Sequence, residues 1–200
     1  MDRGEINDIL ISVLAISLAF TIARSEPIAA LTGASTFTLG DFGLLFVVSL
    51  FTVGIGFVLH ELAHKYMAIR YGSWAAYRAW PMGLQLALLT SLFGIVFAAP
   101  GATYIYNPYM SKRESGIVSV IGPLTNIALA FVFLLASPIL LVLLPGMVGL
   151  MLVGQGIAIN LWLAFFNMLP FGPLDGKKVM DWNVAVWALI IGGTFALLFL

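Results

Sequence analysis

Residues 58–72 read VLHELAHKYMAIRYG and contain both histidines of the chain, His60 and His64, with Glu61 beside the first. Histidines at i and i+4 share one face of a helix, about 6 Å apart along its axis. Two imidazoles so placed can bind one zinc ion at about 2.0–2.1 Å. Glu61 can reach a water on that ion as general base, and the ion would bring the water's pKa towards about 7 and polarise a carbonyl. The chemistry on offer is metal-assisted hydrolysis. The competing reading is three satisfied polar groups in a helix bundle. Ionisable groups inside an apolar segment cost several kcal/mol and are by default functional. The helical pattern also runs on to Arg70, leaving His60 about 15 Å short of that end.

The elements that must carry this motif are apolar. Of 200 residues, 62% are hydrophobic and 9% charged, where a soluble domain has about 25% charged. Net charge is zero, so nothing points to nucleic acid. Without cysteine there are no disulfides, and zinc must be held by His, Asp or Glu. The start, MDRGEIND, lacks the cationic region of a signal peptide and leads into a retained helix. Apolar runs cover 6–23, 42–69, 83–106, 117–144, 148–169 and 184–200, each near the roughly 20 residues that cross a bilayer. Residues 24–41 read as a loop and LLPGM, 143–147, as a tight turn. The expectation is an all-α polytopic membrane protein, one domain over 1–200.

The run at 83–106 is broken by Gly83, Gly94, Pro100 and Gly101 and is rich in strand-favouring residues. If it does not cross, eight of the nine Lys and Arg residues share one side with the N-terminus, and only Arg24 lies opposite. The positive-inside rule then makes the N-terminus cytoplasmic. If it crosses, Lys112, Arg113, Lys177 and Lys178 move outside and the asymmetry collapses. Residues 72–110 are therefore expected to form a strand-rich or re-entrant element beside five crossings, with Trp74, Tyr77 and Trp80 in an interfacial belt. The site then lies nearer the cytoplasmic side.

A catalytic zinc keeps three protein ligands and one open position. With His and Cys exhausted, the third ligand must be a carboxylate. Asp2, Glu5 and Asp8 are terminal, Glu26 and Asp41 lie on the far side, Glu114 sits among charges, and Asp181 reads as a helix cap. Asp175 remains, in a stretch where Pro170, Gly172, Pro173 and Gly176 break the helix and let it turn towards HELAH. Alone it reads as a turn residue; beside HELAH it reads as a ligand. A carboxylate in such apolar surroundings is expected to shift towards its neutral form when the metal is removed.

HELAH at 60–64, GPLTN at 122–126 and NMLPFGPLDG at 167–176 resemble, in order and spacing from about residue 43 to 180, the site-2 protease family of intramembrane zinc metalloproteases. The resemblance implies cleavage within transmembrane segments of membrane-protein substrates, with one zinc per chain. His60, His64 and Asp175 would be its ligands and Glu61 the base. Asn126 and Asn167 fall on motif asparagines near the site that steady the substrate backbone or the transition state. Read from the residues alone, Asn126 is equally a polar bridge between helices and Asn167 a helix-end residue. LDGKK stands where many members have a second glycine, and 200 residues leave no room for the family's larger accessory domains. Leu200 lies inside an apolar run without a charged stop, as in a truncated chain.

Gly54, Gly56 and Gly122 would let helices approach closely, and the strand-prone 84–106 stretch could offer a substrate an edge for β-addition. Two other functions use the same motif. A prenyl-protein protease would need a downstream glutamate, and Glu114 is the sole candidate. A metal transporter or metal-binding scaffold would be expected to show repeated halves and several intramembrane acids, neither of which is visible. Oligomeric state leaves no signature in the sequence.

Overall fold

The computed structural model describes residues 1–25, 38–97, 100–144 and 146–200. Most of the expected loop at 24–41, including Glu26, and Pro145 of the expected turn lie outside the described residues.

Among the described residues four helical segments are long and apolar enough to cross a bilayer. The first is α1, Arg3–Arg24. The second, Leu39–Arg70, is compound: α2 (Leu39–Ser49), a π-helical turn (Leu50–Gly54), then α3 (Ile55–Arg70) carrying HELAH. The others are α5 (Lys112–Leu143) and α6 (Met147–Asn167). A shorter apolar helix, α8 (Val184–Phe199), completes the five expected segments. The protein is a mostly helical membrane protein. Leu135, Val142 and Leu189 are more than three-quarters exposed, which in a membrane protein is surface for lipid.

The stretch between α3 and α5 leaves and returns at one end of the bundle, while Gly94, between the two strands, lies beside Ala23 near the other end of α1. It contains β1 (Trp74–Ala79), α4 (Pro81–Ser91) and β2 (Gly101–Tyr106). The strands pair antiparallel with Trp74 opposite Tyr106 and Ala79 opposite Gly101, so the chain returns to where it left. The expected strand character holds for 101–106 and fails for 84–91. Pro81 starts a helix there, and LQLALL is made of good helix formers. At 11 residues α4 is about 16 Å long, half a bilayer, and it packs against α1. Trp74 and Trp80 are exposed as a belt requires, but Tyr77 is 1% exposed. Its hydroxyl donates to Ser12 Oγ at 2.7 Å, so its polar tip is satisfied inside the bundle.

Several charged residues have local duties. Asp41 forms a capping box with Thr38, and Glu114 one with Ser111. Asp181 does not cap: it pairs with Lys177 four residues back on α7 (Asp175–Trp182), and Asn183 caps α8 instead. Glu5 is no loose terminal residue. It is 2% exposed and binds Lys65 Nζ of α3, while its Oε1 accepts the Tyr77 amide at 3.1 Å.

Candidate active site

His60 and His64 leave α3 on the face that packs against α5. Gly122 makes that packing close: a Cβ there would run into both imidazoles. Pro123, next in line, has no N–H to give the helix. His64 Nδ1 lies 2.7 Å from the Val118 carbonyl oxygen, which can only accept, so this nitrogen carries the proton. His60 Nδ1 lies 2.6 Å from Asn126 Oδ1. The amide orientation is fixed because Asn126 Nδ2 donates to the Gly56 carbonyl at 3.1 Å and to Asn160 Oδ1 at 3.0 Å. Both imidazoles therefore donate from Nδ1 and present a bare lone pair at Nε2.

Those lone pairs face each other. The two Nε2 atoms are 2.9 Å apart, and Asp175 Oδ2 lies 3.3 Å from one and 3.1 Å from the other. Asp175 reaches this point because α6 ends at Asn167 and the chain turns through Gly172, at φ +61°, before α7 starts at Asp175 itself. Three acceptors converging without a hydrogen between them repel unless a cation sits among them. A tetrahedral zinc with ligands at about 2.0–2.1 Å has ligand–ligand edges of about 3.3 Å. The donor set fits zinc, and these are the residues that could hold it. Burial pushes the Asp175 carboxyl up, but the facing imidazoles of His64 and His60 hold it well below the ordinary carboxylate range. With two imidazoles beside it, Asp175 is not the isolated carboxylate in apolar surroundings that the expected shift towards the neutral form assumes.

Glu61 is 8% exposed and lines the same cavity. Its Oε2 accepts from the backbone N–H of Thr103 at 2.9 Å and from the Thr103 hydroxyl at 2.8 Å. Asn167 lines the cavity too, at the last position of α6, with Nδ2 donating to the Leu163 carbonyl at 2.9 Å. Asn126 is fully buried, and its carboxamide is committed to His60, Gly56 and Asn160. It is at once a bridge between helices and the group that orients His60.

Sequence reasoning missed Asn160 and Thr103. Asn160 is fully buried in the middle of α6, and the rule that flags polar residues within apolar spans finds it. Thr103 carries no such signal, since threonine is ordinary in a strand.

No family model matches the chain, and no solved structure does either. Curated relatives do match. MJ0611 of Methanocaldococcus jannaschii is 43% identical over 189 residues, 94% of this chain and 89% of its own length. YwhC of Bacillus subtilis is 30% identical over 148 residues, 65% of this chain and 66% of its own. Rip2 of Mycobacterium tuberculosis is 29% identical over 166 residues, 73% and 62% respectively. Each bears the name "putative zinc metalloprotease". A HELAH helix facing an Asp175 turn, with this identity along nearly the whole chain, makes the protein a member of the site-2 protease family of membrane zinc metalloproteases.

Proposed function

We propose that this metalloprotease cuts peptide bonds within transmembrane segments of other membrane proteins. The observation that carries the reading is the burial of the site inside a membrane-crossing segment: His60, Glu61 and His64 are 4%, 8% and 6% exposed. His60, His64 and Asp175 would hold one zinc per chain. When bound, it supplies a Lewis acid for the scissile carbonyl and a water of lowered pKa.

Glu61 takes a proton from the attacking water as its oxygen bonds to the carbonyl carbon. It returns the proton to the amide nitrogen as the C–N bond breaks. Asn126 keeps the His60 lone pair on the metal side, and Asn167 steadies the substrate backbone with the hydrogen-bonding capacity Leu163 leaves it. The outer edge of β2 lines the cavity at Gly101, Thr103 and Ile105. A substrate strand unwound from its helix adds there through the main-chain groups beside the Thr103 amide, which Glu61 itself holds.

The proposed partners are the lipid bilayer and a transmembrane substrate, served by a single protease domain with no nucleic acid involved. The N-terminus and the site face the cytoplasm. Support comes from the clustered cations and from the hairpin's return of the chain to one end.

Glu61→Gln is the decisive variant. It should keep a full equivalent of zinc and lower cleavage of a model transmembrane substrate by roughly 10²–10⁴-fold. Wild-type cleavage by this variant would sink the reading, whereas a transporter would keep its metal flux. Topology is tested separately with Tyr109→Cys, since the native chain has no cysteine and Tyr109 is 91% exposed. Labelling should come only from the cytoplasmic side; labelling from outside overturns the orientation.

A further inference from the structure

We infer that Thr103 is the positioning residue for the Glu61 carboxylate, an inference that rests on Glu61 being the general base. Glu61 ends a side chain with three torsions to fix, and a single hydrogen bond would leave its carboxylate free to turn. Thr103 gives two bonds to one oxygen, Oε2, from its amide and its hydroxyl. The hydroxyl also lies 3.2 Å from the Glu61 carbonyl, but it has one proton, and the shorter, charge-assisted contact takes it. With Oε2 engaged, Oε1 is the atom left to exchange protons with water.

The direction of the Thr103 amide is set by the sheet. Thr103 stands opposite Tyr77, and in an antiparallel ladder alternate pairs turn their N–H groups outward, away from each other. The Tyr77 amide points out to Glu5, and the Thr103 amide points out to Glu61. One carboxylate on each side therefore catches the ribbon. Glu5 fixes β1 to α1 and Lys65, so β2 is held at a set distance from the catalytic helix. Thr103 is 42 residues from Glu61 in the chain and reaches it only because this ribbon exists.

Thr103→Val keeps the shape and the amide but loses the hydroxyl, and Thr103→Ala leaves open space instead. Both should lower kcat on a model transmembrane substrate by roughly ten- to a hundredfold, the loss of one hydrogen bond to a charged group. KM should stay unchanged and zinc should remain at one equivalent per chain. Thr103→Ser should restore kcat. Wild-type kcat in the Val and Ala variants overturns the inference, and so does a Ser variant as slow as they are, which would make the position structural only. Glu61→Gln run in parallel separates the two levels. If it is inactive while Thr103→Val is unaffected, only the positioning role fails; if it cleaves normally, the general-base reading fails and takes this inference with it.

Discussion

Asp175→Asn should lose zinc, and with it all proteolysis, while Asp181→Asn should lose neither. The asparagine keeps the size of the side chain and removes its charge. Asp175 is one of three acceptors that meet within 4.8 Å, and the lone pairs of two neutral imidazoles do not hold a dication alone. Removing a group that merely orients a ligand costs about 10–100-fold in metal affinity; removing the ligand's charge should cost more. The fold should tolerate the change, because the turn is set by Gly172 and by Gly176, where a Cβ would meet the Met168 carbonyl. Asp181 is six residues on and, among the described residues, pairs only with Lys177, with both side chains about half exposed, an arrangement worth about 0–1 kcal/mol. Zinc per chain across a chelator series, followed by cleavage of a model substrate, reads both outcomes. Equal zinc affinity and equal activity in the two variants would mean that Asp175 only starts a helix.

The second large effect lies away from the zinc ligands. Glu5→Leu should destabilise the protein by about 3–5 kcal/mol, because it strands the ammonium of Lys65 in a largely buried position. The double variant Glu5→Leu/Lys65→Met should recover most of that loss. It keeps only the penalty for the Tyr77 amide, which loses its acceptor, about 1–3 kcal/mol. Thermal unfolding in detergent of the two single variants and the double variant gives the comparison. A double variant no more stable than Glu5→Leu would show that the charge pair does not hold α1 to α3. The exposed contacts of Arg78 with Asp2 and Asp8, at 3.5 and 3.7 Å, should matter little by the same measure.

What could be read from the residues follows from how far each interaction reaches. HELAH was legible because helical periodicity puts i and i+4 together whatever surrounds them. Asp175 was legible because the absence of cysteine and of further histidine left few donors, and the glycines and prolines around it announced a turn. The re-entrant element was legible from charge, since crossing would have split the cations. Its interior was not: Leu, Gln and Ala at 84–89 favour a helix as locally as Thr and Tyr at 103–106 favour a strand, and the run was read as one piece. Glu5 reads as terminal because its partner is 60 residues away. Tyr77 reads as interfacial because aromatic residues there look the same as aromatic residues whose hydroxyl finds a buried serine.

The π-helical turn at Leu50–Gly54 also bears on how the chain length can vary. A π turn is an α-helix with one residue to spare. Deleting that residue would let the regular ladder run unbroken while leaving the two halves close to their present orientation, because the wide turn already absorbs the roughly 100° that one residue adds. The half that carries His60 and His64, pinned by Val118, Asn126 and Gly122, would keep its place. The other half, α2, would keep Leu45 and Val48 towards the bundle and half-exposed Val47 away from it. In an alignment of relatives, a one-residue gap at this point should mark chains with an uninterrupted helix and the same packing on either side of it.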